Sequence, residues 1–499
     1  MIENSHTILS IDIGTTNLKC VVFDENGTMI LHSSQTHPTS YPNPGQAEQA
    51  PSVWVKNLQQ LLLTMRGHHP EIISSLQGVS LTGQMHGPVF LGERGDVLHP
   101  CIIWSDTRAR EETAFLKKHF TPEYILQMTG NPIQESFTLP KVLWLKNHYP
   151  DLFSQVSKII YPKDYLGFLL TGNLSTDHSD ASGSLMYDLF NKTWSSEIIS
   201  ECGFELSLLP DIIYSDSILG TITPEASKRF SLPAGIPVIK GGGDLATTAL
   251  ATGTGQEGSV SLCIGTAAQL LISLNSVDKN LLGSLYLFSH CLPNTFFYLG
   301  TVPTGGSSVQ WFHSLLSDES KEAFYDELNS LTEISMKRNI LFYPYLMGTG
   351  TPYFDYRSNG AFLGLQINHN RVDIVLSIME GITFSLKDSL QSISGYEFKK
   401  LVFSGGATRF SLWPQIVSSI LNLPVYVARY VDSAVIGAFL LGAKRLGFIS
   451  DYGIIINRLL NENPIYPGTN YVQEYEKKYK IYKHFLPTVR DYSSYINEL

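Results

Sequence analysis

The chain opens on a segment, Ile8 to Phe23 (ILSIDIGTTNLKCVVF), that leaves little freedom in what can be built around it. Alternating and β-branched residues lead to Asp12, a tight Gly14-Thr15-Thr16 turn follows, and a second strand runs through Leu18 and Val21 to Phe23. The pattern is a β-hairpin with polar chemistry at its tip. Gly14 lets backbone approach a ligand closely, while amide N–H groups and the Thr15 and Thr16 hydroxyls supply donors, so the turn suits a phosphate. Asp12 lies between Ile11 and Ile13 and interrupts an apolar strand, where a carboxylate without a partner is costly. Magnesium, bound directly or through water, would satisfy it. The alternative is an ordinary hairpin in which Asp12 and the threonines serve only the turn's own hydrogen bonds.

The motif occurs twice. Ser261 to Leu274 (SLCIGTAAQLLISL) aligns Gly265 with Gly14, Ile264 with Ile13 and Thr266 with Thr15, and it carries Cys263 where the first copy has Asp12. The copies lie about half a chain apart, as in a diverged internal duplication. Two like domains, each offering a Gly-Thr hairpin to one nucleotide, resemble the actin-like ATPase fold. A chain of 499 residues exceeds one compact core and suits two.

Composition narrows the partners. An apolar fraction of 43% and a charged fraction of 16% fit a soluble enzyme, and a net charge of −10 argues against nucleic acid or an anionic membrane as partner. The five cysteines are scattered, with no C-x-x-C pair, and read as reduced thiols. The start, MIENSHTILS, lacks a basic and apolar leader, and no apolar run reaches membrane-spanning length, so the expected location is cytoplasmic.

Polar loops at strand ends come next. Gln77 to Leu81 delivers Gly83-Gln84-Met85-His86-Gly87, an amide, a thioether and an imidazole able to bind several hydroxyls while packing on a carbon skeleton. Cys101 to Trp104 ends in Ser105-Asp106-Thr107-Arg108, again at a place where α/β proteins bind ligands. The bland readings are a histidine that caps its own loop, and a helix-entry cap beside a solvated charge. Ser52 is the expected N-cap of a helix through Trp54 and Leu62. Further on, Lys240-Gly241-Gly242-Gly243-Asp244 follows a short strand; the glycines suggest a passage between domains, and Asp244 stands at the mouth of a helix. It can be an N-cap, a general base taking a proton from a sugar hydroxyl, or both.

GQMHG followed by IIWSDTRA, with DIGTT before them, resembles the FGGY carbohydrate kinases, most closely their xylulokinase group. Pro162-Lys163-Asp164-Tyr165-Leu166 and Ser179-Asp180-Ala181-Ser182-Gly183 extend the resemblance; Lys163 and Asp164 read as structural, with Asp164 a partner of its helix's first turn. The resemblance covers nearly the whole chain. It implies an α/β protein of two actin-like (ribonuclease H-like) ATPase domains with a nucleotide cleft between them. The expected boundaries are 1–238 for the sugar-binding domain and 239–450 for the nucleotide-binding domain. A docked helical tail, 451–499, includes a helix from Tyr471 to Tyr482.

ATP and Mg²⁺ are the implied cofactors, and a small-molecule sugar the implied partner, with a homodimer as the candidate assembly. Gln84, Met85, His86, Asp106 and Arg108 would hold the sugar, Asp244 would contact it and act as base, and Asp12 would organise Mg²⁺. Gly14, Thr15, Thr16, Gly265 and Thr266 would hold phosphates. Gly305 and Gly306, in PTGGSS, would back the nucleotide, and Gly405, Gly406 and Ala407 would carry adenosine on a strand-to-glycine turn. The implied reaction is ATP-dependent phosphorylation of a ketose at its terminal hydroxyl, D-xylulose first, with sedoheptulose, ribulose or a polyol as alternatives. Two departures bear on the sugar. Leu245 stands where many of the xylulokinase group carry asparagine, and GTAAQL replaces the commoner G-T-S-G. Outside catalysis, the alternatives are a nucleotide-driven switch of the actin or chaperone kind and a sugar sensor.

Overall fold

The structure is a computed structural model that describes residues 6–496 apart from 254, 256–257, 317–319, 332, 335–337, 394, 430–431 and 462. Its contacts form two compact units. The first comprises Met1–Ala251, Leu287–Phe297 and Asp432–Ile456, and the second Thr252–Tyr286, Tyr298–Val431 and Asn457–Leu499. No helix among the described residues is long and apolar enough to cross a membrane.

The first unit is built on strands β1 (Thr7–Ile13), β2 (Asn17–Asp24), β3 (Met29–Thr36), β4 (Leu76–Gly83), β5 (Ile218–Thr221) and β6 (Pro237–Gly243), in the spatial order β5-β6-β4-β1-β2-β3. β1 pairs antiparallel with β2 and parallel with β4, and β6 lies parallel to β4. The hairpin read from sequence is therefore real, and its register sets Asp12 opposite Lys19. β1 and β4 are covered on both faces, which is why they read as near-continuous apolar runs. On one side lie Trp54, Leu58 and Leu62 of the Pro51–His68 helix. On the other, the Ser433–Arg445 helix packs on β1, β4 and the Asp244–Ala251 helix. There Gly437 is indispensable, because a Cβ would lie 2.0 Å from the Thr247 carbonyl oxygen.

In the second unit the strands β7 (Ser259–Ile264) and β8 (Ala268–Leu274) repeat the hairpin, with Cys263 opposite Gln269. They sit in the succession β9 (Phe296–Val302), β8, β7, β10 (Lys400–Ser404), β11 (Val425–Val427), with β10 parallel to both β7 and β11. The same scheme, a hairpin continued by parallel strands beside its first strand, thus recurs in both halves. Behind it the Arg371–Gln391 helix is buried almost all round. The C-terminal helix, Thr469–Ile496, docks against it: Tyr475 donates to Glu380 at 3.0 Å, Tyr479 to Asp388, and the Tyr482 and Tyr343 rings stack at 4.5 Å. This helix outruns the expected 471–482 because buried Leu486 and Val489 continue its apolar face.

Two local expectations change. The helix expected behind Ser52 starts at Pro51 with Ala50 at the N-cap and no side-chain cap, since proline at N1 presets the helical φ. The glycines 241–243 are not a passage between domains: they finish β6, which is whole within the first sheet, and carry the chain straight into the Asp244 helix. Gly241 has φ +70°, and a Cβ on it would stand 1.5 Å from the Leu81 carbonyl oxygen. Gly241→Ala is expected to cost more than about 4 kcal/mol by combining strain with a backbone clash. Gly235→Ala, at φ +82° with open space around it, should cost only about 1–2 kcal/mol in urea unfolding.

Candidate active site

Asp12, at the end of β1, is buried (4% exposed), and its Oδ1 has no hydrogen-bond partner among the described residues. Its Oδ2 lies 3.7 Å from Lys19 Nζ, which is 2.6 Å from Asp432. Burial pushes the Asp12 carboxyl up to about 6 against the pull of Lys19, with Asp432 adding to the rise. Burial opposes the Lys19 charge too, but Asp12 and Asp432 hold its ammonium above the ordinary lysine value. An orphaned carboxylate oxygen of this kind fits a hard divalent cation or water held by one. Among the described residues no group of three or more His, Cys, Asp or Glu gathers to hold a metal, so Asp12 would supply a lone protein oxygen beside phosphate ligands.

Asp244 is the first residue of its helix and partly exposed. The Leu245 N–H donates to its Oδ1 at 2.8 Å; Asp244 is thus inside the first turn rather than the N-cap read from sequence, and Oδ2 is not committed by that bond. Burial, then the Asp12 charge, raise its carboxyl from 3.8 to about 7. β1 and β6, on either side of β4, therefore bring the two singled-out aspartates within electrostatic reach.

The GQMHG loop joins them. A Cβ on Gly243, just before Asp244, would come within 2.6 Å of Met85 Cγ, so the Met85 thioether packs on the turn into the Asp244 helix. Gln84 donates from Nε2 to Gln49 at 3.0 Å and leaves its buried Oε1 without a partner among the described residues. Gln49 in turn donates to the Thr15 carbonyl at 2.7 Å, which ties this loop to the hairpin tip. His86 has φ +70°, and its ring lies near Phe137 and Phe288. Its Nδ1 is 2.7 Å from the Gly183 carbonyl, an acceptor only, so Nδ1 carries the proton and Nε2 the lone pair. Burial holds His86 down at about 4, hence neutral near pH 7.

Asp106 and Arg108 are buried into each other. Arg108 donates from its backbone and from Nε to the Asp106 carboxylate, at 2.8 Å each, and to Glu48 at 3.0 Å, with its guanidinium 4.8 Å from the Trp144 ring. The solvated-charge alternative does not hold. Asp106 also receives the Ala47 N–H, so its acceptors face protein donors.

The hairpin tip is clamped. Gly14 N–H donates to the Asn17 carbonyl, His37 Nε2 lies 3.0 Å from the Gly14 carbonyl, and Trp104 Nε1 donates to Thr15 Oγ1 at 2.9 Å, leaving Thr16 exposed. In the second unit three separate glycine segments meet at one turn. Gly306 N–H donates to the Gly265 carbonyl (2.7 Å) and Gly305 N–H to Thr266 (2.8 Å). Gly405, at φ +88°, fits 2.6 Å from the Ile264 carbonyl by the same Cβ measure. Gly265 and Gly406 face open space, and Ala407 is buried beneath.

Sequence reading missed Lys19, Asp432, Gln49 and Lys141. Lys19 was legible, being opposite Asp12 once Gly14 faces Asn17 across a two-residue turn. Lys141, which donates to the His86 carbonyl and is lowered by burial to about 7, reaches the loop only through the tertiary fold.

The profile of the FGGY family of carbohydrate kinases, N-terminal domain, matches residues 7–251, and that of its C-terminal domain residues 260–446. The xylulose kinase of Staphylococcus xylosus is 31% identical over 95% of this chain and 99% of its own. The crystal structure of the xylulose kinase from Rhodospirillum rubrum superposes with TM-score 0.90 at 26% identity, over 98% of this chain and 100% of that one. The gluconate kinase from Lactobacillus acidophilus shares the fold at TM-score 0.89 and 24% identity, over 98% and 99%.

Because the Asp244 carboxyl stands above its unfolded value of 3.8, folding takes up a proton between about pH 4 and 7, and stability falls as pH rises through that window. Asp244→Asn removes the ionisable group. It is expected to raise the melting temperature more at pH 8 than at pH 4, in paired thermal scans.

Proposed function

The chain belongs to the FGGY family of carbohydrate kinases, and from that premise we propose that it phosphorylates D-xylulose on its terminal hydroxyl, using ATP as donor, to give D-xylulose 5-phosphate and ADP. The observation that carries the chemistry is the Asp244 carboxyl, poised at about 7 and partly accessible, with Met85 packed at its helix entry. A base with its pKa near working pH can take the hydroxyl proton as that oxygen attacks the γ-phosphorus. Neutral His86 presents Nε2 as an acceptor and Gln84 presents Oε1, both suited to sugar hydroxyls. Asp106 and Arg108 remain assigned to the sugar side of the site, where the bonds they make to each other, to Ala47 and to Glu48 hold the neighbouring loop.

Gly14, Thr15 and Thr16 receive phosphate oxygens on the first unit. Gly265, Thr266, Gly305, Gly306, Gly405, Gly406 and Ala407 bear the nucleotide on the second. Mg²⁺ suits the Asp12 oxygen and would supply charge neutralisation for the transferring phosphoryl group. Phosphoryl transfer depends on positioning and charge stabilisation more than on covalent help, and a clamped hairpin tip beside a fixed aspartate provides positioning.

Leu245 keeps the choice of ketose open to test, since its backbone serves Asp244 while its side chain replaces an amide that could bind sugar. Purified protein with MgATP should release ADP fastest with D-xylulose in a panel of ketoses, aldoses and polyols. Faster turnover of a seven-carbon ketose would reassign the substrate, and no sugar-dependent release would overturn kinase activity. Asp244→Asn should lower kcat by about 10²–10⁴-fold with little change in the KM for sugar; undiminished kcat would remove the base assignment.

A further inference from the structure

The Ser179-Asp180-Ala181-Ser182-Gly183 segment belongs to no step above, yet it reaches the residue before the base. Ser179 is fully buried. Its hydroxyl donates to Asp177 Oδ2 at 2.5 Å and accepts the Gly243 N–H at 2.9 Å. The direction is fixed by the chemistry: a carboxylate only accepts, so the Ser179 proton points to Asp177 and a lone pair is left for Gly243. Asp177 cannot swing away. Its Oδ2 also receives the Ser179 N–H (2.9 Å) and the Ser215 hydroxyl (2.7 Å), and Lys163 Nζ lies 2.7 Å from its Oδ1. Lys163 is itself wedged among Asp164, Asp177 and Asp180, all buried, with Lys240 on Asp164. Losing one partner from such a cluster leaves an uncompensated buried charge, which keeps the cluster rigid.

Gly243 is held at both ends, its N–H by Ser179 and its carbonyl by the Thr247 hydroxyl at 3.2 Å. On its open side, a Cβ would meet Met85 at 2.6 Å and Asp180 Oδ1 at 3.1 Å. The residue that leads into Asp244 is therefore located by two hydroxyls, that of Thr247 from within the helix and that of Ser179 from an ionic anchor outside it.

We infer that Ser179 is a positioning residue for phosphoryl transfer: through the Gly243 N–H it fixes the start of the Asp244 helix, and with it the direction in which the Asp244 carboxylate faces the sugar hydroxyl. This rests on Asp244 being the base. A base displaced by about 1 Å loses on the order of 10²-fold in rate, while sugar binding through Gln84, Met85 and His86 is largely kept.

The test compares Ser179→Ala, Ser179→Cys, Ser215→Ala and Asp244→Asn in the full-length protein, with MgATP and the ketose that the panel selects, alongside thermal unfolding. Ser179→Ala should lower kcat about 10- to 100-fold with sugar KM within about threefold. Ser179→Cys keeps the size with a poorer acceptor and should fall between it and the parent. Ser215→Ala loses a bond to the same Asp177 oxygen without touching Gly243, so its kcat should stay within about twofold. Parental kcat in both Ser179 variants, or an equal kcat loss in Ser215→Ala, overturns the inference. If Ser179→Ala does not fold, the Ser179→Cys and Ser215→Ala pair decides by the same criterion. Asp244→Asn separates the two levels: if it keeps parental kcat the base assignment fails, whereas an inactive Asp244→Asn beside fully active Ser179 variants removes only the positioning role.

Discussion

β6 can lie where it does only because it ends in glycine. At Gly241 the backbone passes so close to the Leu81 carbonyl, with φ in the left-handed region, that any side chain would push the strand off β4. The approach is what carries Asp244 to the same end of the sheet as Asp12, since both strands flank β4 in parallel with it. The Met85 contact and the bond from Ser179 both depend on that path. A shift of the strand would therefore disturb Asp244, the Gly83–Gly87 loop and the hairpin together.

The site so assembled carries more negative charge than it neutralises. Asp12, Asp244 and Asp432 share one lysine, Lys19, and burial above all, reinforced by the neighbouring carboxylate charge, makes Asp12 and Asp244 hold their protons more tightly. Such an arrangement stabilises nothing in the free protein, a condition that the proposed entry of a cation with phosphates would relieve. A few Å away the buried network around Lys163 shows the opposite balance. There Asp177 is pushed up by burial, yet Lys163 and three donated hydrogen bonds bring it down to about 2. Asp12 and Asp244 are left under-compensated, whereas beside Lys163 Asp177 is over-determined and Asp180 alone is raised, by burial, to about 8.

Much of this was legible in the sequence, for identifiable reasons. A β-hairpin is local, so alternation and a Gly-Thr-Thr tip sufficed to place Asp12 and the turn, and the same tip at Gly265 disclosed the duplication. Asp244 was found because an aspartate after three glycines opens a helix. That the glycines continue the short strand before them was not, because three glycines look like a break when the crowding that demands them lies on a strand from much earlier in the chain. For Arg108, read as a sugar ligand, a solvated charge stayed open as the alternative because nothing local announces Glu48 or Trp144 as its neighbours. The long-range partners Gln49, Lys141 and Asp432 left no periodic trace.

The helix Ser433–Arg445 covers β1, β4 and the Asp244 helix, yet it is made some 180 residues after Asp244. During synthesis the sheet that holds both aspartates must therefore wait, one face bare, until nearly nine-tenths of the chain has left the ribosome. The Thr469–Ile496 helix imposes the same delay on the other unit, whose tyrosine seam closes only once Tyr482 has been made. Neither half can be completed before its covering helix has been made.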